Sequence, residues 1–162
     1  MIMKIYQAPW SKSLKVVSLL LVVLAVAALV GTSFLPAGIP VWSLHLTRWI
    51  LPVIVLSCLP FMVLGYEVTE DAILIHRPLW KTRLDRANLK SAEVVPNAMS
   101  KCLRTCGNGG GFSFTGWYWS KSLGAFSAYV TDLNRTVVLR FEKRTVVVSP
   151  DAPEDFVKAL SR

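Results

Sequence analysis

Hydrophobic positions along this chain follow three successive patterns. Val16 to Leu35 (VVSLLLVVLAVAALVGTSFL) is a twenty-residue run without a charge. At a rise of about 1.5 Å per residue it matches a hydrocarbon core about 30 Å thick. Trp49 to Tyr66 (WILPVIVLSCLPFMVLGY) is a second, slightly shorter uncharged run. It carries Pro52 and Pro60, which spanning helices accommodate when neighbouring groups satisfy the freed carbonyls. From Tyr66 onward, alternation replaces continuous apolarity. Thr136-Val-Val-Leu-Arg-Phe141 sets Val137, Leu139 and Phe141 on one face and Thr136, Val138 and Arg140 on the other, the period of a half-buried strand. Ala72 to Arg77, Phe126 to Thr131 and Arg144 to Ser149 are similarly rich in β-branched and aromatic residues. Short connections such as Asp132 to Arg135 and Glu142-Lys143 predict antiparallel neighbours in a meander that closes or folds over on itself. At the end, Asp151-Ala-Pro-Glu154 predicts a capping box, and Phe156, Val157 and Leu160 form the apolar stripe of one terminal helix.

The two apolar runs predict a transmembrane hairpin in residues 1–65, with spans at about 16–35 and 49–66, and a separate unit in residues 66–162. Ala25-Val-Ala27 also looks like the cleavage site of a signal peptide, but the run is long for such a segment and a second one follows it. Lys4, Lys12 and Lys15 precede the first span, and Arg48 is the sole basic residue of the connecting loop, Pro36 to Arg48. Arg77, Lys81 and Arg83 follow the second span. This bias predicts that both termini face the cytoplasm. A cleaved first segment would leave Glu67 to Arg162 on the same side.

Composition sharpens this layout. The chain is 53% hydrophobic with a mean hydropathy of +0.47, too apolar for an ordinary soluble domain of 162 residues. Residues 1–65 hold four Lys/Arg and no Asp/Glu, while residues 66–162 hold fourteen basic and ten acidic residues. So mild an excess suits an anionic leaflet and gives no ground for a nucleic-acid partner.

The glycine-rich stretch Gly107 to Gly124 (GNGGGFSFTGWYWSKSLG) invites a phosphate-binding reading, which its spacing refuses. Gly111 and Gly116 have the P-loop gap, but Trp117 stands where the lysine is needed. A dinucleotide fingerprint would place its third glycine at Phe112 or Phe114. Turns are the expected use of these glycines. Cys58, Cys102 and Cys106 are too scattered for a disulfide framework, and His45 and His76 fall on opposite sides of the predicted membrane, so neither a metal site nor a cofactor is expected. His76, the one histidine on the cytoplasmic side, sits in a strand pattern without a nucleophile partner. Glu70-Asp71 and Glu154-Asp155 suit a turn and a helix start. These patterns point away from an enzyme.

The passage Tyr66-Glu-Val-Thr-Glu-Asp-Ala-Ile-Leu-Ile-His-Arg-Pro-Leu-Trp-Lys-Thr-Arg-Leu-Asp85, with Asn88-Leu-Lys-Ser-Ala-Glu-Val94, resembles the opening of small bacterial PH-like (pleckstrin-homology-like) domains that follow a membrane hairpin. The glycine stretch, Phe126 to Thr131 and the ending Val146-Val-Val-Ser-Pro-Asp-Ala-Pro-Glu-Asp-Phe156 are similar to the same family, so the resemblance covers roughly residues 64–162. Cys102 and Cys106 depart from it. The resemblance implies a helical transmembrane hairpin plus a mainly-β PH-like barrel or sandwich with one C-terminal α-helix. It further implies that the glycine passage is an excursion between central strands, with Gly107 to Gly111 and Gly116 permitting bends and Phe112, Phe114, Trp117 and Tyr118 covering one barrel end. The function implied is a non-catalytic binding or scaffolding module at the cytoplasmic face of the bacterial inner membrane. Its partners would be the lipid bilayer, a membrane protein or a second copy, and the alternative is an accessory or regulatory subunit joined to a larger complex through the hairpin. Candidate contact residues are Lys81, Arg83 and Arg86 after a turn, Lys101 and Arg104 before the glycines, and Trp117, Trp119 and Lys121 after them. Basic residues that protect strand edges from aggregation would give the same pattern. Because successive strand side chains alternate, Tyr118 should oppose Trp117 and Trp119.

Overall fold

The computed structural model describes residues 4–34 and 40–161. Two helices form from the apolar runs. The first, α1 (Lys12–Gly31), starts at Ser11, whose hydroxyl accepts the Leu14 N–H at 3.2 Å, and ends in a 3-10 turn at Thr32–Phe34. The second, α2 (Val41–Cys58), contains Pro52 and ends in a 3-10 turn at Leu59–Phe61. Both are long and apolar enough to cross a membrane, and most of their large side chains are exposed. The second helix differs from the expected 49–66 segment. It starts at Val41, so Trp42 and Arg48 are helical, and it stops before Gly65 and Tyr66, which lie in a strand. A lone arginine does not interrupt helical hydrogen bonding, whereas Pro60 falls in the 3-10 turn that ends the helix. Leu35 and Gly38 lie outside the described residues.

Among the described residues, ten strands make two sheets. The first has the order β1 (Lys4–Gln7), β2 (Gly65–Val68), β3 (Ala72–His76), β4 (Lys81–Asp85), all antiparallel. Its edge strand β1 precedes α1 in the chain and pairs Tyr6 with Tyr66. The helical pair is thus bracketed by two strands of one sheet, and residues 4–7 join the β unit across the expected boundary at residue 65.

The second sheet contains β5 (Leu89–Val94), β6 (Leu103–Gly109), β7 (Phe114–Ser120), β8 (Gly124–Val130), β9 (Val137–Phe141) and β10 (Thr145–Val148). Its order is β5-β9-β10-β8-β7-β6. The expected meander fails at two places: β5 and β6 lie at opposite edges of the sheet, and β10 slots between β8 and β9 and runs parallel to β8. The segment from Thr131 to Thr136 therefore skips one strand position and does not make a hairpin. No closed barrel results; the two sheets face each other as a sandwich.

Alternation distributes the core to both faces of the second sheet. Val137, Leu139, Val146 and Val148 meet Tyr66, Ile73, Ile75 and Leu84 of the first sheet. Val138, Val147, Phe126 and Tyr118 point the other way, beneath Met99 of the segment 95–102. A sheet covered on both sides explains the nearly continuous apolar reading of its central strands. Tyr66 ties the sheets together by donating its hydroxyl proton to the Tyr129 carbonyl at 2.6 Å, and burial pushes its pKa up to about 12.

The terminal helix α3 (Pro153–Leu160) packs Phe156 and Leu160 onto the core between the sheets. Its predicted capping box is absent. Ala152 occupies the cap position, and Asp151 instead accepts the Ala152 N–H at 3.1 Å.

Candidate functional site

The glycine-rich stretch folds as a hairpin of β6 and β7 rather than as an excursion. Gly107 and Gly116 are direct cross-strand partners with φ of +112° and +138°. A Cβ on Gly116 would stand 2.2 Å from the Cys106 carbonyl oxygen, so only glycine permits this backbone approach. Asn108 shapes the turn by accepting the Gly111 N–H at 2.9 Å and donating to the Gly111 carbonyl.

This hairpin turn is held by both helices. The Phe112 N–H donates to Ser18 Oγ of α1 at 3.0 Å, and the Phe112 ring meets Trp10 edge-on. Ser113 Oγ donates to the Phe61 carbonyl, at the end of the turn following α2, at 3.1 Å. Ser18 lies about 9 Å along α1 from Lys12 at 1.5 Å per residue, so the turn rises beside the helix instead of stopping at its foot.

Beyond the turn, Tyr118 points inward, stacks on Phe126 with ring centroids 5.8 Å apart and donates to the Asn108 carbonyl at 2.8 Å. Burial pushes its pKa up to about 12. Trp117 and Trp119 face the opposite way and are 64% and 44% exposed. Trp119 pairs across the hairpin with Leu103, itself 67% exposed. Neither tryptophan covers the end of a barrel, since no barrel closes.

Of the eight candidate contact residues, the structure gathers five along this hairpin and separates three. Arg104 lies on β6 and runs its guanidinium over Gly109. Lys101 and Lys121 are exposed and lie two residues beyond the Leu103–Trp119 pair on either strand. With Trp117 and Trp119 they form an aromatic and basic edge. Lys81 and Arg83 belong to β4 of the other sheet, where Lys81 reaches Glu67 at 3.3 Å and Arg83 reaches Asp85 at 2.8 Å. Glu67 also meets His76 at 2.7 Å, and the His76 contact holds its carboxyl below the usual range. Arg86 is structural: it donates to the Thr69 carbonyl and to the Leu160 carbonyl at the end of α3, both at 2.9 Å.

One residue missed by sequence reading is Arg77. Its guanidinium lies 5.9, 5.4 and 5.0 Å from the ring centroids of Phe61, Trp80 and Tyr129. Its Nε is buried without a hydrogen-bond partner. Arg77 lines a cleft of about 410 Å³ between the last turn of α2, at Ser57 and Cys58, and the hairpin at Thr115 and Trp117. The sequence signal was Arg77-Pro-Leu-Trp80, an arginine at a strand end with an aromatic three residues on, but Phe61 and Tyr129 arrive from distant segments.

Among the described residues no three His, Cys, Asp or Glu side chains group as a metal site. The cysteines are free thiols, and Cys58 and Cys106 line the same cleft. No curated protein and no solved structure matches the chain. The bacterial PH domain family matches residues 64–162, a stretch that starts just before β2 and runs through both sheets and α3. With more than half of its length matched and two facing sheets closed by a terminal helix, this chain belongs to the bacterial PH domain family.

Proposed function

We propose that the chain is a non-catalytic binding or scaffolding module anchored in the bacterial inner membrane by α1 and α2, with its β unit at the cytoplasmic face. The observation that carries this reading is the seating of the β6–β7 turn between Ser18 of α1 and Phe61 after α2. Trp117 shares a cleft with Ser57 and Cys58 at the end of α2, and the Leu103–Trp119 pair lies next along the same hairpin. Tryptophan prefers the interfacial zone of a bilayer, and each nearby Lys or Arg adds about 1 kcal/mol toward an anionic surface. Lys101 and Lys121 supply that charge, whereas Arg104 pairs with Tyr118 on the other face. Docking of α1 through Ser18 leaves the exposed run from Leu19 as the membrane segment, slightly shorter than 16–35.

Two measurements test the proposal. A reporter active only in the cytoplasm is expected to work when fused after Arg162, and one active only outside when inserted near Gly38; the reverse pattern refutes the topology. For the surface, the full chain is required because β1 precedes α1. In vesicles containing lipids brominated near the headgroup, Trp117→Phe with Trp119→Phe is expected to reduce the quenched share of tryptophan emission. An unchanged share would place these rings away from the bilayer.

Arg48 favours a second reading, in which the helices join a larger complex. Its Nε is buried without a partner inside a helix otherwise apolar enough to span. Charges at such positions usually face protein and are paired. A carboxylate on a partner helix would satisfy it.

A further inference from the structure

We propose that the cleft between the end of α2 and β7 binds the headgroup of an anionic glycerophospholipid, with the Arg77 guanidinium as counter-ion to its phosphodiester. The proposal rests on the membrane reading above, because the lipid would come from the leaflet around α2.

Charge is the first argument. Arg77 is the only charged side chain among the described residues lining the cleft, and its buried Nε has no acceptor. Three ring faces surround the guanidinium. They attract a cation but offer no oxygen to its in-plane N–H groups; the Tyr129 side chain supplies a hydrogen bond, and the Nε stays unpaired. Burial holds the guanidinium below its ordinary pKa although the Tyr129 side chain opposes the shift, the direction expected of a cation without a carboxylate or other full anion beside it. A phosphodiester supplies that anion, and its oxygens fit the planar fork of arginine better than the point charge of lysine.

Position and size are the second. One wall, Ser57 and Cys58, is the last turn of a helix whose side chains are exposed along its apolar length. The opposite wall carries Trp117, 64% exposed, beside Thr115. A volume of about 410 Å³ lies within the roughly 300–1,000 Å³ of small-molecule sites. It accommodates a headgroup whose acyl chains continue along the outside of α2. A free anion would leave the apolar walls unused, whereas an amphiphile covers both.

The test is native mass spectrometry of the full chain in neutral detergent, titrated separately with phosphatidylglycerol, phosphatidylcholine and inorganic phosphate. Wild type is expected to retain one phosphatidylglycerol with about tenfold or greater preference over phosphatidylcholine, the order of effect of a charge-assisted hydrogen-bonded contact. Arg77→Gln should abolish the preference, Arg77→Lys should reduce it, and Arg140→Gln, at an exposed cation of β9 outside the cleft, should leave it intact. Equal retention of the two lipids by wild type overturns the proposal without recourse to any variant. So does a preference that survives Arg77→Gln, or retention of inorganic phosphate with no preference between lipids. Alkaline extraction of membranes tests the supporting reading separately. A chain released by alkali refutes the anchor itself, whereas a chain that stays embedded but lacks the preference refutes only the lipid site.

Discussion

Phe156→Ala is expected to lower the stability of the full chain by about 3–5 kcal/mol, the usual cost of truncating a buried phenylalanine. Lys158→Ala should stay within about 0.5 kcal/mol, as surface substitutions do. Phe156 is fully buried, and its ring stands edge-on to Tyr6 at 5.0 Å and to Tyr66 at 6.2 Å. It is therefore the point where α3 grips the first sheet. Tyr6 adds a second tie by donating its hydroxyl proton to the Asp155 carbonyl at 3.0 Å. Removing the ring opens a cavity bounded by a strand on each side of the helical pair in sequence, so β1 loses its anchor as well as α3. The loss is a large share of the roughly 5–15 kcal/mol that holds a domain together. Thermal unfolding of the two variants in the same detergent decides the matter; equal melting temperatures would refute the packing of α3.

Features that depend on local periodicity were legible in the sequence. The apolar runs, the alternation of Thr136 to Phe141, the stripe through Phe156 and Leu160 and the opposition of Tyr118 to Trp117 and Trp119 all follow from spacing within one element. Features that depend on a distant partner were not. Lys4 to Gln7 is too short to announce a strand, and its pairing with Gly65 to Val68 reaches across both helices. The insertion of β10 between β8 and β9 is equally invisible, because Asp132 to Arg135 has the length and composition of a hairpin turn. Asn134 does turn there, giving its N–H to Asp132 Oδ1 at 3.0 Å, but the chain leaves the turn one strand further away.

The candidate site divides along the same line. Basic residue type alone did not separate Arg86, whose guanidinium is spent on two carbonyls, from Lys121, which is exposed in a turn. Charge reports what a side chain can offer; only the fold decides whether the offer has been taken. Arg77 shows the converse. Its cleft draws on α2, β3's end, β6, β7 and β8, so no sequence window contains it.

The glycines of the β6–β7 hairpin carry the sharpest structural expectation. Glycine in a strand interior usually weakens it, and for that reason Gly107 and Gly116 read as loop residues in sequence. In the fold they form a facing pair that brings β6 and β7 closer than side chains allow. A Cβ on Gly116 would lie 2.2 Å from the Cys106 oxygen and 2.7 Å from the Gly107 Cα, both backbone atoms with little freedom to move. Its φ of +138° adds strain for any L side chain. Gly116→Val should therefore cost about 2–6 kcal/mol, taking about 1–3 for the backbone and about 1–3 for overpacking. Gly124 separates the two contributions. It has a φ of +69° with nothing within 4 Å of an added Cβ, so Gly124→Ala incurs backbone strain alone, about 1–2 kcal/mol. Limited proteolysis should locate the damage in Gly116→Val: cleavage is expected first in the β6–β7 turn, because the loosened hairpin withdraws Phe112 from Ser18 and Ser113 from Phe61. Equal melting temperatures for the two variants, or protection of that turn in Gly116→Val, would show that the strands part easily and that the close glycine pair does not hold the hairpin against the helices.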